Sequence, residues 1–137
     1  MYTAVTQVRV RYGETDQMGF LYYGAYALYY ETGRAEAIRA LGFSYRQLEE
    51  QGVIMPVVEL QSRYLRPALY DDLVTVKTTL REMPSGSKIR FHSELYNEAG
   101  ALLNAGVTTL VFLDASSRRK VAVPAILLEK LAPYFAS

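Results

Sequence analysis

Between Arg11 and Arg34 the chain sets one carboxylate, Asp16, among glycines, aromatics and small side chains, with Gly19 three residues on and a run of tyrosines leading into a helix-favouring stretch. A carboxylate held beside a helix start in apolar surroundings has the composition of an active site. The same residue has a plainer reading. Aspartate accepts hydrogen bonds from the backbone of tight turns and caps short helical turns, and Gln17 to Gly19 is such a turn. The residues alone leave both readings open.

Five of the twelve tyrosines, Tyr22, Tyr23, Tyr26, Tyr29 and Tyr30, fall within nine residues of this segment. A tyrosine ring is apolar with a polar tip, which suits a pocket wall and suits an interface between subunits equally well. Tyr22, Tyr23 and Tyr26 are assigned to the pocket or interface, and Tyr29 and Tyr30 have an equal claim to ordinary packing. Glu59 is a second, weaker carboxylate candidate in a strand-like run, where alternation sets it opposite Val58 and Leu60. Glu31 reads as an ion-pair partner of Arg34 or Arg11. His92 alternates with Lys88, Arg90 and Glu94 and reads as a surface histidine.

Bulk composition narrows the field. With 137 residues, half of them apolar, the chain makes one domain spanning residues 1–137. Fifteen basic and fourteen acidic residues leave a formal charge of +1, which gives no global electrostatic reason to bind nucleic acid or a membrane surface. Cysteine is absent, so disulfides, thiolate metal sites and cysteine nucleophiles are excluded, and one histidine does not make a metal cluster. The longest uncharged run, Ala99 to Leu113, is shorter than the roughly 20 apolar residues of a membrane span. The first twelve residues alternate instead of forming a leader, and a soluble, cytoplasmic protein is expected.

The elements that must position Asp16 follow from periodicity. Residues 4 to 12 alternate, with Val8, Val10 and Tyr12 on one face and Arg9 and Arg11 on the other, as in a half-buried strand. Residues 25 to 41 favour a helix, with Leu28, Thr32, Ala35, Ile38 and Leu41 at helical spacing and Gly42 just past the end. Its many small residues suit a close approach to a curved sheet. Four strand-like runs follow, 53–66, 73–81, 88–96 and 102–113, and a short helix from Pro124 to Phe135 ends the pattern. One strand, a long helix and four antiparallel strands predict an α+β domain with the sheet wrapped around the helix.

Tyr12, Glu14, Thr15, Asp16, Gly19, Tyr22, Tyr23, Tyr26, Glu31 and Arg34 recur in the order of a known signature. So do Pro56-Val-Val-Glu59, Tyr64-Leu-Arg-Pro67, Asp71-Asp72 and Ser87-Lys88. On these residues the chain resembles the hotdog-fold acyl-CoA thioesterases of the 4-hydroxybenzoyl-CoA thioesterase type. It is also similar to the Tol-Pal-associated acyl-CoA thioesterase, except that tyrosine stands at position 23 where those proteins carry histidine.

The resemblance implies a hotdog fold, with a long central helix wrapped by a five-stranded antiparallel sheet. It implies that Asp16 attacks a thioester carbonyl or activates water, oriented by Thr15 and Glu14 and assisted at most by the Tyr23 hydroxyl. Either role needs a donor for the developing oxyanion, and the backbone N–H of Tyr23 or Gly24 at the helix start is the candidate. A glycine at 24 would let a thioester oxygen approach unhindered. Gly19, Tyr22, Tyr26 and Glu59 are then substrate-binding, with Arg63, Lys88 and Arg90 as a basic rim for the phosphates of CoA beside the Ser85–Ser87 turn. No cofactor or metal is implied; CoA is part of the substrate. Homo-oligomers are expected, a dimer at least and a dimer of dimers by resemblance. A non-catalytic acyl-thioester binding protein is the alternative.

Overall fold

Alternation carries the first element. In the computed structural model, which describes residues 1–136, strand β1 (Tyr2–Arg9) turns Tyr2, Ala4, Thr6 and Val8 inward and Thr3, Val5, Gln7 and Arg9 outward. The strand stops before the alternation does. Tyr12, expected on the buried face, is 77% exposed at the start of a 3-10 turn, Tyr12–Glu14. The cause is Glu14, which folds back to accept the Arg11 backbone N–H at 2.9 Å and the Arg11 guanidinium at 3.0 Å.

A second 3-10 turn, Tyr23–Ala25, runs into helix α1 (Tyr26–Ala40). Gly42, at φ +104°, ends it in the left-handed conformation that favours glycine. A short helix that periodicity did not announce, α2 (Tyr45–Glu50), follows; Ser44 and Gln47 satisfy each other's backbone N–H groups at its start. Next come β2 (Val53–Ile54), β3 (Val57–Tyr64), β4 (Leu73–Leu80), β5 (Lys88–Tyr96), β6 (Leu102–Val111), β7 (Leu113–Asp114) and α3 (Ala125–Phe135). The run 53–66 is therefore two strands: β2 leaves at Pro56 to pair with β7, and a bulge between Val57 and Glu59 interrupts β3. Pro124 caps α3 and is not its first residue.

The five long strands form one antiparallel sheet in the order β1-β4-β5-β6-β3. Helix α1 lies on one face, over a row of small residues in register: Thr78, Ser93, Gly106 and Ser62. Gly33 meets this row so closely that a Cβ there would stand 2.7 Å from Val76 Cγ1. The Tyr30 ring takes the space above Gly106, and its hydroxyl meets Ser62 Oγ at 2.7 Å and the Asn104 side chain. These contacts shift the buried stripe of α1. It runs through Tyr26, Tyr29, Tyr30, Gly33, Ala37 and Ile38, whereas Leu28, expected inside, is exposed. Three tyrosine rings bury more area than the aliphatic stripe would, and Tyr29 and Tyr30 each find a partner for the hydroxyl. No helix among the described residues is long and apolar enough to cross a membrane.

Candidate active site

The 3-10 turn after β1 delivers Asp16 to the end of the sheet. Thr15 Oγ1 donates to the Tyr12 carbonyl at 2.7 Å, and the Tyr29 hydroxyl of α1 donates to Glu14 Oε1 at 2.8 Å. Burial works to raise the Glu14 carboxyl, but its bonds from Arg11 and Tyr29 bring it below its ordinary value. Burial, then Glu14, push the Tyr29 hydroxyl up. Glu14 and Thr15 thus hold the backbone that carries Asp16 and do not touch its carboxylate.

The plain role of Asp16 is present, and it occupies one oxygen. Oδ1 accepts the N–H groups of Met18 at 2.9 Å and Phe20 at 3.2 Å, while the Asp16 carbonyl accepts the Gly19 N–H at 3.0 Å. Gly19 sits at φ +79°, which makes glycine the comfortable residue in this turn. Oδ2 has no hydrogen-bond partner among the described residues.

Beside it the helix begins. Tyr22 N–H is tied to the Glu14 carbonyl at 2.8 Å, and the first helical bond runs from Ala25 N–H to the Tyr22 carbonyl at 2.9 Å. The N–H groups of Tyr23 and Gly24 precede that bond and find no acceptor among the described residues. The space at Gly24 is not open, contrary to expectation. The Tyr22 ring covers it, and a Cβ on residue 24 would stand 2.7 Å from Tyr22 Cε2. Glycine is needed there for the ring to lie down.

Asp16 lines a cavity of about 280 Å³ with Met18, Phe20, Leu21, Tyr23, Tyr26, Tyr64, Leu65, Arg66 and Pro67. Tyr64 closes one wall, donating to the Tyr23 carbonyl at 3.1 Å and meeting the Tyr26 ring edge-on at 5.1 Å. Burial raises the Tyr26 hydroxyl above its ordinary value, with Tyr64 and the nearby Asp16 charge adding to it and the Ala68 backbone opposing it. Tyr26 therefore faces this cavity as a neutral hydroxyl. Tyr22, Gly19 and Gly24 stand next to the cavity without lining it; Tyr22 instead stacks on Tyr23 with ring centroids 4.7 Å apart. The contribution of Tyr64 to Pro67 as lining was not legible from periodicity. They reach residue 16 because the Leu21 N–H bonds the Ala68 carbonyl at 2.7 Å, a long-range contact that no local pattern announces.

The other candidates gather elsewhere. Arg90, Thr109 and Glu59 form one cross-strand row on the face of the sheet away from α1. Lys88 and Arg90 line a cavity of about 320 Å³ with the Ser85–Ser87 turn, and Arg63 lines a groove of about 200 Å³ with Arg81. His92 borders both, and burial, then Arg81 and Arg90, lower its pKa. None of Glu59, Arg63, Lys88 and Arg90 lines the Asp16 cavity within one chain. Among the described residues no group of three metal-ligating side chains forms. Arg11 pairs with Glu14, and neither Arg11 nor Arg34 pairs with Glu31, a correction to the expected ion pair.

The chain is similar to known proteins over most of its length. The chain is 31% identical over 117 residues to the acyl-CoA thioester hydrolase YbgC of Escherichia coli, covering 85% of this chain and 87% of that one. The DHNA-CoA thioesterase structure from Staphylococcus aureus superposes with a TM-score of 0.85 at 34% identity, over 98% of this chain and 85% of that one. A 4-hydroxybenzoyl-CoA thioesterase bound to 4-hydroxybenzoyl-CoA shares the fold at 21% identity, with a TM-score of 0.85 over 95% of this chain and 99% of that one. The sheet that wraps α1 is thus the hotdog fold. Residues 10–131 match the model of the thioesterase-like superfamily, and the chain belongs to that family.

Proposed function

We propose that this protein is an acyl-CoA thioesterase, which hydrolyses a CoA thioester to the free acid and CoA with Asp16 as its working carboxylate. One observation carries the reading: Asp16 keeps a free Oδ2 in a largely apolar cavity, beside two helix-start N–H groups without acceptors. The N–H groups of Tyr23 and Gly24 suit the carbonyl oxygen as it gains charge, and the positive end of the α1 dipole reinforces them. Relatives named for acyl-CoA hydrolysis support the reaction class.

Two routes satisfy this geometry. In one, Asp16 attacks the carbonyl carbon and expels CoA thiolate; water then hydrolyses the mixed anhydride. In the other, Asp16 takes a proton from water as the water attacks. Position 23 carries a phenol in place of a histidine, so Asp16 does the proton or nucleophile work itself, assisted at most by the Tyr23 hydroxyl. The outer-face cations Arg63, Lys88 and Arg90 suit the phosphates of a CoA held by a neighbouring copy, with Glu59 beside them. The reading needs no metal or cofactor. It has a homo-oligomer, a dimer at least and a dimer of dimers in the fuller form, working in the cytoplasm.

The test is thiol release from aliphatic and aromatic acyl-CoAs by the wild type and Asp16→Asn. Asparagine keeps the Oδ1 acceptor of the turn and removes the negative charge, so the fold stays while turnover falls by at least about 100-fold. Unchanged turnover in Asp16→Asn sinks the role of Asp16. Binding of acyl-CoAs by the wild type without any thiol release favours the non-catalytic binding protein. In ¹⁸O-labelled water, label entering Asp16 during a single turnover marks the nucleophilic route.

A further inference from the structure

The N–H groups of Tyr23 and Gly24 belong to two consecutive peptide units, whose carbonyls are those of Tyr22 and Tyr23. In a trans peptide the carbonyl and the N–H point in opposite directions, so whatever holds the carbonyl also aims the N–H. The Tyr22 carbonyl is held locally, by the Ala25 N–H at 2.9 Å. The Tyr23 carbonyl accepts the Tyr64 hydroxyl at 3.1 Å, from 41 residues away in the chain. The sheet thus reaches the helix start through a side chain, and it does so on the peptide unit that carries the Gly24 N–H.

Tyr64 is placed for this by the sheet. It is the last residue of β3, opposite Asn104 of β6, and the N–H groups of Leu65 and Arg66 both bond the Leu103 carbonyl, at 2.9 and 3.0 Å. Its ring stands edge-on to Tyr26 and forms a wall of the Asp16 cavity. The residue is 52% exposed, and an acyl group entering the cavity covers the part that faces it. The bond from the hydroxyl to the carbonyl then competes less with water and strengthens. A hydrogen bond to an amide oxygen also draws electron density from the amide nitrogen, which makes the N–H of the same unit a better donor.

We propose that Tyr64 is a positioning residue for thioester hydrolysis: its hydroxyl fixes and polarises the peptide between Tyr23 and Gly24, so that the Gly24 N–H meets the thioester oxygen as that oxygen gains charge. The inference rests on the acyl-CoA thioesterase reading above and deepens it by naming the side chain that readies an oxyanion donor. Tyr64 transfers no proton and touches no reacting atom. The demand on the donor is greatest when the charge on the oxygen is greatest, so loss of the hydroxyl falls on kcat and leaves ground-state binding nearly unchanged.

Tyr64→Phe tests it, because the variant loses the hydroxyl and keeps the ring as cavity wall. With whichever acyl-CoA of the aliphatic and aromatic panel the wild type turns over fastest, kcat should fall about 3- to 10-fold, the range set by loss of one neutral hydrogen bond, while KM stays within about twofold. A second readout reports the donors directly. The same acyl-CoA, labelled with ¹³C at the thioester carbonyl and bound to Asp16→Asn, shows a carbonyl stretch in difference infrared spectra. Adding Tyr64→Phe to Asp16→Asn should move that stretch to higher wavenumber, as a weaker donor polarises the carbonyl less. Wild-type kcat in Tyr64→Phe, a rise in KM alone, or a stretch that does not move overturns the positioning role and leaves the thioesterase reading standing. No thiol release by the wild type from any acyl-CoA of the panel overturns that reading, and this inference with it.

Discussion

Strands β5 and β3 both pair antiparallel with β6, one on each side, and they are used in opposite ways. Along β5 every second residue is buried, with Ile89, Phe91, Ser93 and Leu95 under the helical layer. Along β3 the matching positions Leu60 and Tyr64 remain 44% and 52% exposed. The difference is neighbours. β5 has a strand on each side and packs against α1, whereas β3 has one strand and an open edge. Apolar residues along this open edge stay exposed in the single chain, and that surface adjoins Arg34 and continues toward the Asp16 cavity through Tyr64.

Three measurements press on this contrast, in decreasing order of expected effect. Phe91→Ala, in the sealed strand, should cost about 3–5 kcal/mol of unfolding free energy in urea titration, because a fully buried ring leaves a cavity. Leu60→Ala, at the same level of the open strand, should change the stability of the single chain by less than about 1 kcal/mol while weakening its association on dilution. Comparable losses of chain stability in both variants would erase the distinction between core and interface. The smallest effect concerns the turn that carries Asp16. The folded-state pKa of Glu14 is lowered, so its contribution is complete above its ordinary value of 4.5 and disappears as pH falls through the lowered value. Stability of wild type over Glu14→Gln should therefore be full at about pH 6 and shrink progressively as the pH is taken below 4.5; an advantage undiminished in acid would mean that shape, and not charge, holds the turn.

Legibility in the sequence followed the range of the interaction. The long helix and the five strands were readable because alternation and helical spacing are local. Asp16 stood out for its residue type among glycines and tyrosines. The inward face of α1 was misjudged because helical spacing marks several stripes as acceptable. The choice among them depends on Gly33 meeting Val76 and on Tyr30 meeting Gly106, contacts between elements far apart in the chain. Likewise, Glu59, Arg63, Lys88 and Arg90 were candidates by charge alone, and only the register of β3, β5 and β6 puts them on the outer face, away from the Asp16 cavity.

Residue type and short spacing were enough for the order of the five long strands, the central helix and the closing helix, the α+β class and the one carboxylate worth testing. Long-range packing settled the rest: the Leu21 N–H on the Ala68 carbonyl and the Tyr64 hydroxyl on the Tyr23 carbonyl bring residues 64–67 against Asp16 as walls of its cavity. Each of these contacts joins residues more than forty positions apart, and no window of sequence contains both sides of it.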